Sequence, residues 1–380
     1  MIKSNLGILP ILCLILLGAG WSGCSSGGGL PEVVREADAV GASGAEPQAP
    51  PLPNGGTGQE APPHIPDSEV YALSSDIYQN YGELRVWAGE RTGESAVKPW
   101  SGYWLPARSK YLFEGAKSPF VLWDRFIQSL VASRSLAGVA ADWEKSRYEE
   151  NPQALSWEGA CDAWAIASLY ENEPVDSVRL GPELSLSIGA QKALLVRSWD
   201  WVDGKRVYGR PYRGDRESHW DEPNPAAFHR FMQSELFEQA RPFIVDKDPG
   251  IPVWNTPVYA AVSDLSDDPE DPNSVLVRTW LKGVDPLFKN PDEIRSYIVW
   301  IELAYRLTGI RESDGSLLVK GGAWIKDENT GVDSTQFHPD FLVGLPPQGQ
   351  VPAHGSFNPG VQQADWLEFR GRLGLSYREP

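Results

Sequence analysis

Cysteine is scarce in this chain. The 380 residues hold three, Cys13, Cys24 and Cys161, too few for a disulfide framework. Positive charge is also short: 34 Lys and Arg stand against 51 Asp and Glu, giving a net charge of -17 and a pI near 4.8. A surface this acidic repels phosphate backbones, which argues against nucleic acid as a partner. Long apolar runs are missing too. The stretch LGILPILCLILLGAG is too short and too weakly flanked for a membrane-spanning helix. No internal repeat is visible. What the sequence does have is 41% hydrophobic residues, enough for a full-sized core, and 16 Trp. So many indoles can wall an aromatic cleft or simply pack a core.

The N-terminus reads as an address. MIK supplies a short positive start, the apolar run follows, and WSGC stands behind it. That is the three-part layout of a secretory signal peptide over residues 1–23. WSGC resembles the lipobox of bacterial lipoproteins, with small Ser22 and Gly23 before Cys24, although Trp21 replaces the usual aliphatic residue. Cleavage there makes Cys24 the new N-terminus and its lipidation site; a plain secretory signal cut nearby is the alternative. The expected location is therefore the bacterial cell envelope, on the outer membrane or cell surface, with membrane contact through the lipid alone. Residues 24–67 are rich in Pro, Gly, Ala and Ser and lack aromatics, so they read as a disordered tether that includes His64. Cys13 leaves with the signal and Cys24 is consumed by lipid. Cys161 is then a lone thiol in an oxidising compartment, which marks it before any motif is read.

The folded region is expected over 68–346, with 347–380 as a C-terminal extension. Apolar spacing predicts a helix over 118–135; small, helix-tolerant residues with Pro174 just beyond predict another from Cys161, and a third is expected over 224–240, where Asn224 can cap and Pro225 can take the first position. β-Branched and aromatic segments at 242–246, 274–281, 296–307 and 316–327 predict strands. Helices first and strands afterwards implies an α+β fold. The acidic stretch 263–274 has carboxylates enough for Ca²⁺ but lacks the glycine and spacing of an EF-hand loop, so it is read as a solvated loop, and no cofactor or metal is implied.

Cys161 sits where a helix should begin. Unpaired N–H groups and the helix dipole favour a thiolate there and can polarise a carbonyl oxygen. Gly159 and Ala160 would leave space for a substrate backbone, and Trp157 and Trp164 would wall a slot. The alternative is a small buried hydrophobe on a core helix.

The segment WEGACDAWAIASLYENEP (157–174) resembles the nucleophile segment of the transglutaminase elicitor family, the secreted Phytophthora elicitor transglutaminases and their bacterial relatives. Three further blocks agree in order: PWSGYWLP (99–106); NPAAFH (224–229) with FIVD (243–246) and VWNTPV (253–258); and GGAWIKD (321–327) with HPDFLVGLP (338–346). Asp162 departs from the residue that often follows the family's cysteine, and it puts a carboxylate beside the thiol. The resemblance implies a papain-like fold with a mainly antiparallel sheet and a nucleophile at a helix N-terminus. It also implies Cys, His and an acidic or amide residue in chain order. His229 with Asp246 as its orienter is the first choice of base, His338 with Asp340 nearby the second, and His219 the third. The activity implied is acyl transfer from a protein or peptide glutamine through a Cys161 thioester to an amine donor. Hydrolysis by a protease or deamidase, or non-catalytic binding in a Trp-rich cleft, stand as alternatives.

Overall fold

Alternation of inward apolar and outward polar residues in the second half of the chain builds long antiparallel strands, and all helices but the last precede them. The structure, a computed structural model, describes residues 75–130, 138–210, 222–247, 252–346, 351–378 and 380. All of these fall within one unit spanning residues 62–380. The signal and tether residues, with Cys24 and His64, lie outside the described residues, as does His219.

The described chain opens with α1 (Ser75–Tyr81), β1 (Arg85–Val86) and β2 (Gly89–Glu94). Helices α2 (Pro119–Leu130), α3 (Val139–Glu150) and α4 (Cys161–Tyr170) follow. A hairpin of β3 (Val178–Gly181) and β4 (Leu184–Leu186) leads to α5 (Ile188–Arg197). Strands β5 (Trp201–Val202) and β6 (Arg206–Gly209) precede α6 (Pro225–Met232), which runs on as a π-helical turn over Gln233–Glu238. The strand-rich part comprises β7 (Phe243–Asp246), β8 (Asn255–Asp267), β9 (Ser274–Asp285), β10 (Tyr297–Arg311), β11 (Leu317–Trp324) and β12 (Phe341–Gly344). It is followed by β13 (His354–Gly355) and α7 (Gln363–Leu373).

Among the described residues the main sheet has nine strands in the order β1-β11-β10-β9-β8-β7-β12-β6, with β2 also paired to β8. Its named strand pairs are all antiparallel. The expected α+β class with a mainly antiparallel sheet is what the chain forms. Asn224 caps α6 as its sequence implies, its Oδ1 accepting Ala227 N–H at 2.9 Å.

Strand β8 was hidden from sequence reading. Its second half, within the expected acidic loop, buries Ser263 and Leu265 and exposes Asp264, Ser266 and Asp267, so polar residues fill the outward positions. The acidic turn that follows is knitted into the sheet: Asp267 pairs with Arg311 at 2.9 Å and Asp268 with Arg306 at 2.7 Å.

The sheet has two covered faces. Along β7, Phe243 and Val245 join a core with Phe228 and Phe231 of α6 and Tyr305 of β10. Ile244 points the other way, into a core with Ala163, Trp164 and Ala167 of α4 and with Phe341 and Val343 of β12. A third core gathers Trp123 and Phe126 of α2, Leu194 and Leu195 of α5, and Trp366 and Phe369 of α7. Each buried phenylalanine here contributes roughly 1.5–3 kcal/mol. The described residues beyond Pro346 are thus packed into the fold rather than appended to it: β13 pairs with β5, and Arg370 binds Glu171 in a buried pair.

Candidate active site

Cys161 is the first residue of α4, and no side chain caps that helix. The helix buries every residue except Asp162, because Ala163, Ala165 and Ala167 let it lie close against the sheet. The PWSGYWLP block wraps this helix. Trp104 O accepts Ala160 N–H at 2.8 Å, and Trp164 Nε1 donates to Trp100 O at 3.1 Å. A Cβ on Gly159 would lie 2.6 Å from the Trp104 ring, so the space expected above Gly159 for a substrate is filled by Trp104.

Cys161 borders a cleft of about 600 Å³. Leu105, Phe113 and Trp157 line it, as do Ile244, Phe341 and Val343 from the sheet; Glu144, Asp162 and Arg197 supply polar groups. Of the two tryptophans expected to wall a slot, Trp157 borders this cleft. Trp164 does not: it is fully buried in the core behind the cysteine.

The thiol is held by one short segment. Cys161 Sγ donates to Val253 O at 3.5 Å and accepts from Asn255 Nδ2 at 3.3 Å. The Asn255 backbone N–H also supports the sulfur. Burial pushes the thiol pKa up; the Asn255 donors oppose this, and the charges of Asp162 and Asp246 add to it. Burial thus works against the thiolate that the helix start alone favours. In a residue only 7% exposed, desolvation is the largest influence on the thiol.

Asp246 ends β7 and is paired in register with Asn255, so both project from the same sheet face as Ile244. Its Oδ1 accepts Trp254 N–H at 2.9 Å. The structure thus brings Cys161, Asp246 and Asn255 together.

It places the two candidate histidines elsewhere. His229 is buried in α6 on the opposite face of the sheet, with Nδ1 2.6 Å from Tyr305 Oη, which in turn lies 2.9 Å from Thr279 Oγ1. Burial, with the Arg230 charge adding, depresses its pKa to about 3. His338 stacks on Trp324, and its ring nitrogens meet Ser334 O at 2.9 Å and Glu222 Oε2 at 2.8 Å. Asp340, near His338 in sequence, is fully buried, and Asp327 pairs with Arg278. A third ring, His354, lies flat on Trp199 with centroids 3.8 Å apart. None of these three hydrogen-bonds Cys161.

No family model matches the sequence, and no curated protein matches it. Among solved structures, the GP42 transglutaminase from Phytophthora sojae superposes on the chain with a TM-score of 0.52 at 15% identity. The alignment covers 80% of this chain and 98% of that one. The fold is transglutaminase-like.

Asn255 is the site residue that sequence reasoning missed. Its signal was present, since it stands inside the VWNTPV block, but an amide has no chemistry of its own to advertise. Among the described residues no cluster of three or more His, Cys, Asp or Glu side chains is arranged to hold a metal ion.

Proposed function

We propose that this chain is an exported, lipid-anchored acyltransferase of the transglutaminase type, with Cys161 as its nucleophile. The observation that supports it best is the Cys161–Asn255 contact beside the cleft, on a fold shared with a transglutaminase along nearly all of that protein. In this reading Cys161 Sγ attacks the carboxamide carbon of a glutamine. The C–N bond breaks, the thiol proton leaves with the nitrogen as ammonia, and a thioester remains. A primary amine then attacks the thioester carbon, the C–S bond breaks, and the amine's proton returns to sulfur. Asn255 Nδ2 stabilises negative charge on sulfur as it develops, and the apolar walls Phe341, Val343 and Trp157 keep water from the thioester. If water enters instead, the same steps yield glutamate, a deamidation. The substrates are protein or peptide glutamines, which donate the acyl group, and a primary amine, which accepts it; no cofactor takes part in these steps.

Export and anchoring rest on the N-terminal sequence, with Cys24 as the lipid site. No described helix is long and apolar enough to cross a membrane.

The experiment is incorporation of a fluorescent primary amine into a glutamine-containing protein by wild type and Cys161→Ala. Wild type should label the substrate. The mutant, in which a small apolar side chain replaces the thiol at modest packing cost, should fold and be inactive. Labelling by the mutant at the wild-type rate would remove Cys161 from the reaction. A second reading, a non-catalytic cleft protein, is favoured by one observation: the three described histidines are bonded elsewhere. A folded wild type inert towards both amines and water, whose Cys161 alkylates only as an ordinary buried thiol, would establish that reading.

A further inference from the structure

Three consecutive residues, Val253, Trp254 and Asn255, govern what surrounds the Cys161 sulfur. Val253 O accepts the thiol proton at 3.5 Å, and Asn255 Nδ2 donates to the sulfur at 3.3 Å. Between them Trp254 packs its ring against Trp104, centroids 5.5 Å apart. Trp104 O in turn receives Ala160 N–H, directly before the cysteine. Val253 and Trp254 precede β8 and are only half-buried, so they lack the strand pairing that holds Asn255 in register. What ties down the middle of the run is Asp246, whose Oδ1 accepts Trp254 N–H at 2.9 Å.

Asp246 is itself fully buried at the end of β7, where its backbone is paired both to β8 and, through the preceding Val245, to β12. It is a rigid post beside a less constrained segment. Its charge and its hydrogen bond act on the thiol in opposite senses. The negative carboxylate disfavours a thiolate nearby, as the exposed Asp162 does, whereas the bond to Trp254 N–H holds the Asn255 donors that favour one.

We infer that Asp246 is a positioning residue: its acceptor oxygen, and not its charge, seats the Val253–Asn255 segment against Cys161. This departs from the orienter-of-histidine role that chain order implied for it, and it rests on the reading of Cys161 as the reactive group. It also means that the resting enzyme carries a built-in restraint on its nucleophile, which an uncharged acceptor at position 246 would relieve.

Asp246→Asn keeps an oxygen that can accept Trp254 N–H; Asp246→Ala keeps neither oxygen nor charge. The readouts are the rate of Cys161 carboxamidomethylation by iodoacetamide across pH, followed by mass spectrometry, and kcat and KM for amine incorporation. In Asp246→Asn the alkylation midpoint should move to lower pH, with kcat within about threefold of wild type. In Asp246→Ala kcat should fall by about tenfold or more with KM little changed, the scale of losing one hydrogen bond to a group that becomes charged. Because alkylation needs no substrate, a wild type without transferase activity would overturn the proposed function and leave the alkylation arm to test Asp246. If Asp246→Asn is as inactive as Asp246→Ala while both fold, the carboxylate itself is required and the inference fails. It fails equally if Asp246→Ala alkylates and turns over like wild type. Should either variant not fold, amide hydrogen exchange on the wild-type protein decides. The Trp254 N–H should be protected although its residue is half-buried and outside the strand, and unprotected exchange there overturns the inference.

Discussion

Asn255 binds the Cys161 sulfur with its side-chain amide at 3.3 Å, and its backbone N–H supports the same atom. Both donors favour the thiolate, against burial and two nearby carboxylates that favour the thiol. Asn255→Ala removes the side-chain donor, so the thiol pKa should rise further. At pH 7 the thiolate fraction, and with it alkylation and amine incorporation, should fall by about ten- to a hundredfold, the worth of one hydrogen bond to a charged group. An alkylation profile that overlays wild type would exclude Asn255 from the site.

His229 should behave as a stability residue. Its ring is buried and bonded to Tyr305 on the sheet face away from Cys161, and its pKa of about 3 lies below the ordinary value near 6.5. Between these two values the unfolded chain binds a proton that the folded protein refuses. Stability is therefore lost as pH falls from about 6.5 towards 3. His229→Ala should lower the melting temperature at pH 7.5, through a cavity and an unpaired Tyr305 hydroxyl costing roughly 2–4 kcal/mol. It should also shrink the difference between melts at pH 7.5 and pH 4.5. Amine incorporation per folded molecule should stay near wild type. A folded but inactive mutant would instead put this histidine in the reaction.

How much of this was legible in the sequence depends on which kind of signal a residue gives. β-Branched and aromatic runs marked β9, β10 and β11 well, and Asn224–Pro225 marked the start of α6, because local chemistry dictates both. Cys161 stood out because it has no partner of its own kind. The placement of the histidines was not legible for a physical reason: at sequence level a buried His and one beside the thiol look alike, and only the sheet between α6 and α4 shows that His229 lies on the other face from Cys161. β8 and Asn255 were obscured because their decisive neighbours are far away in sequence, 94 residues in the case of Cys161. The C-terminal residues looked like an extension because α7 has weak apolar periodicity, yet Trp366 and Phe369 are almost fully buried.

Cys24→Ser tests the anchor. A protein anchored by lipid relies on its acyl chains for stable membrane affinity, and serine cannot take the thioether lipid. The mutant should appear in the soluble fraction of cells and lack the mass of attached lipid. Retention in washed membranes after high salt would show that something other than Cys24 holds the protein there.

The C-terminal segment should prove indispensable. Arg370 Nη1 contacts both oxygens of Glu171, at 2.5 and 2.6 Å, with both side chains almost wholly buried. Glu171 directly follows α4, the helix that begins at Cys161, and its Oε1 also accepts Trp199 Nε1–H at 2.9 Å. Arg370 lies over the Tyr377 ring at 3.6 Å, and Tyr377 Oη lies 2.9 Å from His354 Nε2. Arg370→Ala would leave a buried carboxylate at the end of α4 without its cation, a loss of about 3–5 kcal/mol in comparable buried pairs. Its melting temperature should drop sharply. Replacing both partners, Glu171→Gln with Arg370→Met, should recover much of that loss, since no bare charge remains and the volumes are similar. Truncation after Pro346 goes further. It removes the same arginine and also Trp366 and Phe369, uncovering Trp123 and Phe126 of α2, so the shortened chain should be insoluble or unfolded by circular dichroism. A truncated protein that melts like the full chain and still alkylates at Cys161 with the wild-type pH profile would show that the segment is dispensable. In that case Glu171 would have to find its counter-charge in water rather than in Arg370.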